Sequence, residues 1–219
     1  MLKRSALYAL LAVCVMMFVS CAGIMQNNHP DTDGWKELFK ADLSNAYYKE
    51  GSWTLDNGLL TRKGGGDIWT KEHYGDFILD LEFKVEKGSN SGVFLRSGDY
   101  KDFIDTTIEI QVHDTTDGGL HGMCGAVYDC LSPSATVTKR AGDWNHYTIT
   151  CKANKIYVVL NGVRIIDMDL NDWTEVHKNP DGTPNKFNTA YKYMPRVGNI
   201  GFQDHNDPVW FRNIKIKEL

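Results

Sequence analysis

The sequence predicts an all-β domain built from two packed antiparallel sheets. Residues 77–85 alternate large apolar side chains with mostly polar ones, as in a strand with one buried face. Asn161-Gly162 separates two apolar runs and is a strong hairpin signal, because a two-residue turn needs positive φ. From Trp35 onward, short runs alternate with turn residues and no long helical period is sustained. Many evenly spaced strands in about 185 residues favour a β-sandwich.

Residues 1–20 are predicted to be a lipoprotein signal peptide rather than part of the fold. Lys3 and Arg4 form a basic head, and the apolar run 6–19 is too short for a comfortable membrane span. Phe18-Val19-Ser20-Cys21 is similar to a bacterial lipobox, in which the cysteine is lipidated and becomes the mature N-terminus. An ordinary signal peptide cut elsewhere, or an uncleaved anchor, is the alternative.

Small residues on both sides of Cys21 favour its lipidation, since Ser20 precedes it and Ala22-Gly23 follows. An acylated cysteine would anchor the chain to a membrane surface. Because no acidic cluster follows Cys21, we expect an outer-membrane lipoprotein that faces the periplasm. Residues 21–34 then form the lipidated tether, and residues 35–219 form the β-sandwich domain.

Charge and cysteine content exclude some classes of protein. The chain has 24 basic and 28 acidic side chains, a formal net charge of −4, and no basic patch, so nucleic acid is not an expected partner. Cys124, Cys130 and Cys151 remain in the domain, an odd number without metal-ligand spacing. Cys124 and Cys130 are compatible either with a disulfide that closes one loop or with two buried thiols.

Further strands follow from the same alternation along the chain. We predict them in the stretches 92–97, 147–151, 156–160 and 163–169, each bounded by turn residues. Residues 171–195 are long, polar and interrupted by three prolines, so we interpret them as a loop that borders the site.

The strand at residues 108–114 carries the first group of candidate site residues. A period of two places Ile108, Ile110 and Val112 on one face, and it places Glu109, Gln111 and His113 on the other. The apolar face must pack against the partner sheet, so the other face presents a carboxylate, an amide and an imidazole in a row. A solvated outer face, which is common in antiparallel sheets, is the alternative explanation, but such faces usually carry Lys, Thr and Glu.

A similar polar set follows near the C-terminus, where a β-pattern extends through residues 201–216. Burying that much polarity costs stability unless the groups are paired, solvated or used. Alternation predicts that Gln203 and His205 share the face of Gly201, while Asp204 points away and either orients His205 or caps the turn after it. Two strands with the same unusual chemistry favour one shared concave site.

Other side chains are weaker candidates. Arg96 could point its guanidinium into the same groove, or it could be a surface salt-bridge partner. Trp69 and Tyr128 are aromatic platforms of the kind that sugar rings stack on, although each alone is more often core. No metal or other cofactor is expected. Glu109, His113, Asp114 and His205 would be the side chains available to a divalent metal, but their spacing does not demand one.

Several short motifs occur in an order that resembles a known family. They are Asn90–Arg96, Glu109–Gln111, Gly125–Tyr128, Asp143–Asn145, Leu160–Gly162, Gly201–His205 and Phe211–Ile214. Together they are similar to the 3-keto-disaccharide hydrolase domain, also described as 3-keto-glucoside-1,2-lyase/3-keto-2-hydroxy-glucal hydratase. The resemblance spans roughly residues 35–219 and implies a concanavalin A-like jelly-roll sandwich. His113 departs from the apolar residue expected there, so its role stays open.

The resemblance implies cleavage of a glycoside that another enzyme, a sugar 3-dehydrogenase, has first oxidised at C3. The ketone acidifies the C2 hydrogen, a base removes it, the C1–O bond breaks by elimination, and water then adds. On this basis His205 or Glu109 is the expected base and Arg96 the group that stabilises the enolate. Gln111 and Gln203, with His113 as a further contact, would bind substrate hydroxyls, and Trp69 and Tyr128 would shape the pocket.

Two other functions stay open at this point. A conventional retaining or inverting glycosidase needs two facing carboxyl groups, and only Glu109 is clearly placed for that role. A non-catalytic carbohydrate-binding lipoprotein is the third possibility, since one fold can serve many functions.

Overall fold

The computed structural model describes residues 28–114 and 122–219. The predicted signal peptide, the proposed lipidation site Cys21 and the first part of the tether lie outside these residues. Within them, no helix has the length and apolar character needed to cross a membrane.

The described residues form thirteen strands and two short 3-10 helices, as the all-β prediction requires. The strands are β1 Lys36–Glu37, β2 Ala46–Tyr47, β3 Trp53–Asp56, β4 Leu59–Arg62, β5 Ile68–Thr70, β6 Phe77–Val85, β7 Asn90–Ser97, β8 Ile108–His113, β9 Asn145–Lys152, β10 Lys155–Leu160, β11 Val163–Asp169, β12 Asn199–Phe202 and β13 Val209–Glu218. The 3-10 helices are Leu170–Asp172 and Tyr191–Tyr193; the first begins one residue before the stretch 171–195 predicted as a loop, and the second lies within it.

The strands pair into two antiparallel sheets, which confirms the predicted sandwich. The eight-stranded sheet has the order β11-β10-β9-β6-β13-β4-β3, with β1 paired to β13. The five-stranded sheet has the order β2-β5-β12-β7-β8. Because β12 and β13 belong to different sheets, the chain crosses from one layer to the other between Phe202 and Val209.

The core lies between the sheets and is built by the inward faces of the predicted strands. In β6 the odd-numbered residues 77–85 are buried, and they pack in one hydrophobic cluster with Val93, Ile110 and Phe202 of the other sheet. Burying one such side chain contributes about 1.5–3 kcal/mol. The central strands are therefore a rigid support for side chains on the outer faces.

The hairpin at Asn161-Gly162 confirms the strongest turn prediction. Both residues have positive φ, at 49° and 82°, and Leu160 pairs directly with Val163 across the turn. The Asn161 side chain contributes as well, since its Nδ2 donates to the Val137 carbonyl at 2.8 Å. The turn thus ties the β10–β11 hairpin to the neighbouring loop.

His29 shows that part of the predicted tether packs on the eight-stranded sheet. Its Nε2 accepts a hydrogen bond from Gly162 N at 3.0 Å, so Nδ1 carries the proton and donates to Thr148 Oγ1 at 2.8 Å. The His29 ring stacks on His146 at 3.5 Å between centroids. Burial and the neighbouring His146 lower the pKa of His29 to about 4, so the ring is neutral at physiological pH.

Cys124, Cys130 and Cys151 are free, buried thiols. Burial raises the pKa of both Cys130 and Cys151 to about 12. Of the two arrangements left open by the sequence, the structure has buried thiols rather than a Cys124–Cys130 disulfide.

Candidate functional site

The outer face of the five-stranded sheet carries a row of side chains that spans four strands. Trp69 in β5 lies opposite Gly201 in β12, Gly201 lies opposite Phe94 in β7, and Phe94 lies opposite Glu109 in β8. Trp69 stacks on Phe94 with ring centroids 4.8 Å apart. The stack forms across Gly201 because a Cβ there would stand 2.4 Å from Trp69 Cε3. The row ends at the carboxyl group of Glu109.

A second glycine positions Glu109. Gly92 in β7 lies opposite Gln111, two residues before Phe94 on the same face of the sheet. The Glu109 side chain extends over Gly92. A Cβ at position 92 would stand 2.3 Å from Glu109 Oε1. The absence of a side chain at Gly92 therefore allows the Glu109 carboxyl group to lie flat on the sheet.

Gly92→Ala should displace this carboxyl group and lower kcat/KM for the substrate proposed below by about 10- to 100-fold, because small misplacements of a reacting group have effects of that size. The fold should persist, since the backbone at Gly92 does not have positive φ. Gly75→Ala is the matched control, because the nearest atom to its added Cβ lies at 3.4 Å. Full activity in Gly92→Ala would show that the Glu109 position is not critical.

Glu109 opens into a cavity of about 180 Å³. The loop before β8 contributes Thr107, and the long polar loop contributes Lys186 and Phe187, so that loop does border the site as predicted. Two buried oxygens in the cavity wall, Thr107 Oγ1 and Gln203 Oε1, have no hydrogen-bond partner among the described residues. Unpaired buried oxygens are costly, so both are suited to bind hydroxyl groups of a ligand.

The Glu109 carboxyl group holds its proton at neutral pH. Burial raises its pKa to about 8 and the nearby Asp67 carboxylate adds to the rise, whereas the Lys186 ammonium and a hydrogen bond from Gln203 oppose it. The residue is only partly exposed, which agrees with burial as the main cause. At pH 7 Glu109 is therefore an acid that can give up a proton.

Asp67 is the second carboxyl group of the site. Asp67 immediately precedes β5. Because Ile68 pairs with Phe202 in antiparallel register, the next position on each strand brings Asp67 beside Gln203. Burial raises the pKa of Asp67 to about 6, and the Asp204 carboxylate contributes, while a hydrogen bond from Asp204 N at 2.7 Å and the charge of His205 oppose the rise. At pH 7 Asp67 is mainly ionised and can accept a proton.

Asp204 holds the loop that carries Asp67. Its Oδ2 accepts hydrogen bonds from Gly65 N at 2.7 Å and Gly66 N at 2.8 Å, and its Oδ1 pairs with Arg62 and accepts from Asn206 N. Burial alone would raise the pKa of Asp204, but these bonds together lower it. Gly65 and Gly66 both have positive φ, which aims their amides at the carboxylate. Asp204 thus points away from the cavity and caps the following turn, one of the two geometries the sequence suggested.

Sequence reasoning missed Asp67 and Lys186. Asp67 directly follows the run Gly64-Gly65-Gly66. Three consecutive glycines before a strand signal unusual backbone geometry beside the sheet, and that signal points to Asp67. Lys186 lies in the long polar loop, where no periodicity marks individual side chains.

The prediction that His205 shares a strand face with Gln203 is wrong. Strand β12 ends at Phe202, and although Gln203 N still donates to Gly92 O at 3.0 Å, the chain then turns toward the other sheet. The His205 side chain is 55% exposed, and its Nδ1 lies 3.9 Å from Asp207 Oδ2. His205 is therefore at the rim, where its charge acts on Asp67 from a distance.

The prediction that Arg96 points into the groove is also wrong. Its backbone has positive φ (51°) at an irregularity between β7 and β12, and the buried side chain turns into the protein. Nε donates to Gly75 O at 2.8 Å, Nη1 to Ala153 O at 2.7 Å and Nη2 to Asp76 Oδ1 at 2.9 Å. With these three bonds Arg96 joins the two sheets and is not available to an enolate.

Arg96→Ala should therefore destabilise the protein without a specific effect on catalysis. It removes three hydrogen bonds of a buried guanidinium, one of them part of the ion pair with Asp76, so we expect a loss of about 3 kcal/mol in the free energy of unfolding. Urea unfolding measures the loss, and the specific activity of the folded fraction should be unchanged. Arg140→Ala, at an exposed position, is the control and should change stability by less than about 0.5 kcal/mol. Normal stability with lost activity would restore a catalytic role for Arg96.

The remaining candidates lie at different depths. Gln111 is 2% exposed and its Nε2 donates to Asn90 Oδ1 at 2.9 Å, so a substrate would reach it only if the surrounding chain moved. His113 is also buried, with Nδ1 3.2 Å from Asp114 Oδ1. Tyr128 is partly exposed beside Glu109, and Lys186 Nζ lies 4.3 Å from its ring centroid. Burial and the Glu109 carboxylate raise the pKa of Tyr128.

Metal-ligand side chains come together elsewhere. Among residues 28–114 and 122–219, one group of three forms, with ligand atoms of His29, Asp80 and His146 within 4.8 Å of one another. It lies on the outer face of the eight-stranded sheet, and its His29 nitrogens already bond to the protein. The four residues that the sequence offered to a metal, Glu109, His113, Asp114 and His205, form no such group.

Comparison with known proteins agrees with this architecture and establishes the family. The family model described as a 3-keto-alpha-glucoside-1,2-lyase-like domain matches residues 27–217, almost the whole of the described structure. The chain belongs to the 3-keto-alpha-glucoside-1,2-lyase-like domain family. The match begins near His29, the residue that joins the end of the predicted tether to the sheet.

Two individual proteins are consistent with this assignment, and a third shares the architecture. The chain is 26% identical to a 3-keto-disaccharide hydrolase of Bacteroides thetaiotaomicron over 86% of this chain and 80% of that protein. It is 39% identical to a candidate glycosyl hydrolase of Parabacteroides distasonis, with a TM-score of 0.81 over 84% of this chain and 99% of the other. The Bacillus subtilis carbohydrate-binding module CBM66, 10% identical with a TM-score of 0.51 over 82% of this chain and 99% of the module, shares the fold alone.

Proposed function

We propose that this protein cleaves 3-keto-glycosides by removing the C2 proton and eliminating the group at C1, followed by hydration. The observation that carries the proposal is the pair of carboxyl groups, Asp67 and Glu109, whose pKa values of about 6 and about 8 lie on either side of neutrality. Two carboxyl groups whose environments separate their pKa values are suited to act as base and acid. Family membership and the name of the Bacteroides relative support the same substrate class.

The reaction needs a base, an acid and a group that stabilises negative charge. A ketone at C3 acidifies the C2–H bond, so a base can take that proton and leave an enolate. The electrons then form the C1–C2 double bond as the C1–O bond breaks, and the departing oxygen takes a proton. Addition of water across the double bond, with oxygen at C1 and hydrogen at C2, completes a net hydrolysis.

Within this proposal Asp67 is the base and Glu109 is the acid. At pH 7 Asp67 is mainly ionised and Glu109 mainly protonated, which is the state that the elimination step requires. Lys186, which also lines the cavity, supplies the positive charge for the enolate oxygen in place of Arg96. Gln203 Oε1 and Thr107 Oγ1 bind substrate hydroxyl groups, and Tyr128 lies next to Lys186, with its ring under the ammonium group.

One incubation tests the proposal. The protein is mixed with a 3-keto-disaccharide and, separately, with the unoxidised parent sugar, and the released monosaccharides are quantified. Release from the keto form alone is the expected result. Binding of both sugars with turnover of neither would contradict an enzymatic function and leave a carbohydrate-binding protein.

A conventional glycosidase is the second candidate function, because Asp67 lies near Glu109 as a second carboxyl group, which the sequence patterns did not identify. Glu109 and Asp67 flank Gln203 on one sheet face and interact electrostatically, as an acid and a nucleophile or base would. Release from the unoxidised parent in the same incubation would support this candidate and contradict the first.

The cellular setting that fits this reaction is also a proposal. Cys21 would carry lipid and anchor the enzyme to the outer membrane, facing the periplasm, and a sugar 3-dehydrogenase would supply the keto substrate. Labelling of the full chain with a fatty acid in bacteria should be lost in Cys21→Ser, together with membrane retention. Retention of the label in Cys21→Ser would contradict lipidation at Cys21.

A further inference from the structure

A second, larger cavity adjoins the candidate site. It has a volume of about 550 Å³ and lies at the other end of the aromatic row, with Asp67 and Trp69 in its wall. Asp67 therefore belongs to this cavity while its charge acts on Glu109 in the smaller one. A glycoside held between the two carboxyl groups has one of its two parts in the larger cavity.

Positive charge is concentrated around this cavity. Lys49, Lys71 and Lys101 line it, and Asp67 is its one acidic lining residue among those described. The lysine ion pairs formed within residues 28–114 and 122–219 involve other lysines, so these three have no carboxylate partner there. Lys71 Nζ donates to the carbonyl of Ser44 at 2.8 Å, which keeps its charge at the rim. The cluster contrasts with the formal net charge of −4 for the whole chain.

An aromatic pair lies between these charges. Tyr47 and Tyr100 stack with ring centroids 4.7 Å apart and planes within 8° of parallel, and Tyr47 is 40% exposed. Lys71 Nζ lies 5.6 Å from the Tyr47 centroid, and Lys101 Nζ lies 5.8 Å from that of Tyr100. An exposed aromatic face provides a platform for a flat or ring-shaped group, and the flanking ammonium groups select its charge.

We propose that this cavity binds the leaving group of the substrate and favours one that carries an oxyanion, either a carboxylate or a sulfate. The inference rests on the proposed function, because it assigns the two groups joined by the cleaved bond, the sugar and the leaving group, to the two cavities. The 3-keto sugar occupies the smaller cavity beside Thr107 and Gln203, with C1 and C2 at the boundary between the two cavities, so that Asp67 reaches the C2 hydrogen and Glu109 the departing oxygen. The anionic portion lies against Tyr47 and Tyr100, within reach of Lys71 and Lys101.

The test uses three 3-keto-glucosides: 4-carboxyphenol and the neutral 4-carbamoylphenol are leaving groups of matched shape, and 4-sulfooxyphenol is a bulkier leaving group that carries a sulfate. We expect kcat/KM for an anionic substrate to exceed that for the neutral one by about 10-fold at low salt, and the ratio to fall as salt screens the lysines. The carboxylate and sulfate arms show which oxyanion is preferred. In Lys71→Gln/Lys101→Gln the ratio should approach one, whereas Lys152→Gln, an exposed lysine on β9 of the other sheet, should leave it unchanged.

The possible failures are distinguishable. Turnover of all three substrates at similar rates, or a preference that survives in Lys71→Gln/Lys101→Gln, would overturn the anionic subsite and leave the proposed function intact. If none of the three is cleaved, the proposed function fails. Equilibrium binding of the unoxidised 4-carboxyphenyl and 4-carbamoylphenyl glucosides then decides the subsite, with tighter binding of the anion supporting it and equal binding overturning it.

Discussion

Asp67→Asn should lower kcat/KM for a 3-keto-disaccharide by about 10²- to 10⁴-fold, the range typical for loss of a positioned general base. The substitution keeps the side-chain shape, and the remaining oxygen can still accept the hydrogen bond from Asp204 N, so the loop should keep its conformation. The variant lacks the Asp67 carboxyl group, which has a pKa of about 6 and is therefore mainly ionised at pH 7. Steady-state kinetics at pH 7 measure the effect.

The pH dependence of kcat/KM provides a second readout for the same variant. The native enzyme should show a bell-shaped profile, because Asp67 must lose its proton at about pH 6 and Glu109 must keep its proton up to about pH 8. Asp67→Asn should lose the acidic limb. Asp56→Asn, at an exposed position in β3, is the control and should behave as the native enzyme. An unchanged acidic limb in Asp67→Asn would exclude Asp67 as the base.

Glu109→Gln should have an equally large effect on catalysis, but one that depends on the leaving group. A sugar alkoxide needs the proton that Glu109 holds, so cleavage of a 3-keto-disaccharide should fall by about 10²- to 10⁴-fold. A 3-keto-glucoside with a 4-nitrophenol leaving group needs little protonation and should lose far less. Equal losses for both substrates would indicate that Glu109 does not protonate the departing oxygen.

The same variant should be more stable than the native protein at neutral and alkaline pH. The folded pKa of Glu109, about 8, lies above its ordinary value of 4.5. Between these values the unfolded chain has released the proton that the folded chain retains, so the stability of the native protein falls as pH rises. Glu109→Gln removes this dependence and should gain on the order of 4 kcal/mol at pH 8, with no gain near pH 4. Thermal unfolding at the two pH values measures it, and equal stability at pH 8 would contradict the raised pKa.

Much of the fold follows from local sequence patterns. The alternation in residues 77–85 identified β6 with its buried face, and Asn161-Gly162 identified the β10–β11 hairpin because its backbone requirement is local. The same period placed Glu109 on the outer face of β8. These features depend on neighbouring residues, so the sequence contains enough information to predict them.

The site was only partly predictable because its decisive contacts are long-range. Asp67 acquires its raised pKa through burial and through Asp204, 137 positions along the chain, and no periodicity marks it. Arg96 follows the strand pattern, but a positive φ turns it inward. In the sequence, the alternation of strand residues continues through His205. In the structure, β12 already ends at Phe202, after which the chain crosses to the other sheet.

Transfer of solvent hydrogen to C2 tests the central claim most directly. Cleavage of a 3-keto-disaccharide in D₂O is followed by NMR at early times, with samples lacking enzyme and containing Asp67→Asn to account for spontaneous exchange beside the ketone. If Asp67 removes the C2 proton and water is later added, the released 3-keto sugar carries deuterium at C2 from its first appearance. A product that keeps its original hydrogen at C2 while the glycosidic bond is cleaved would contradict the elimination route.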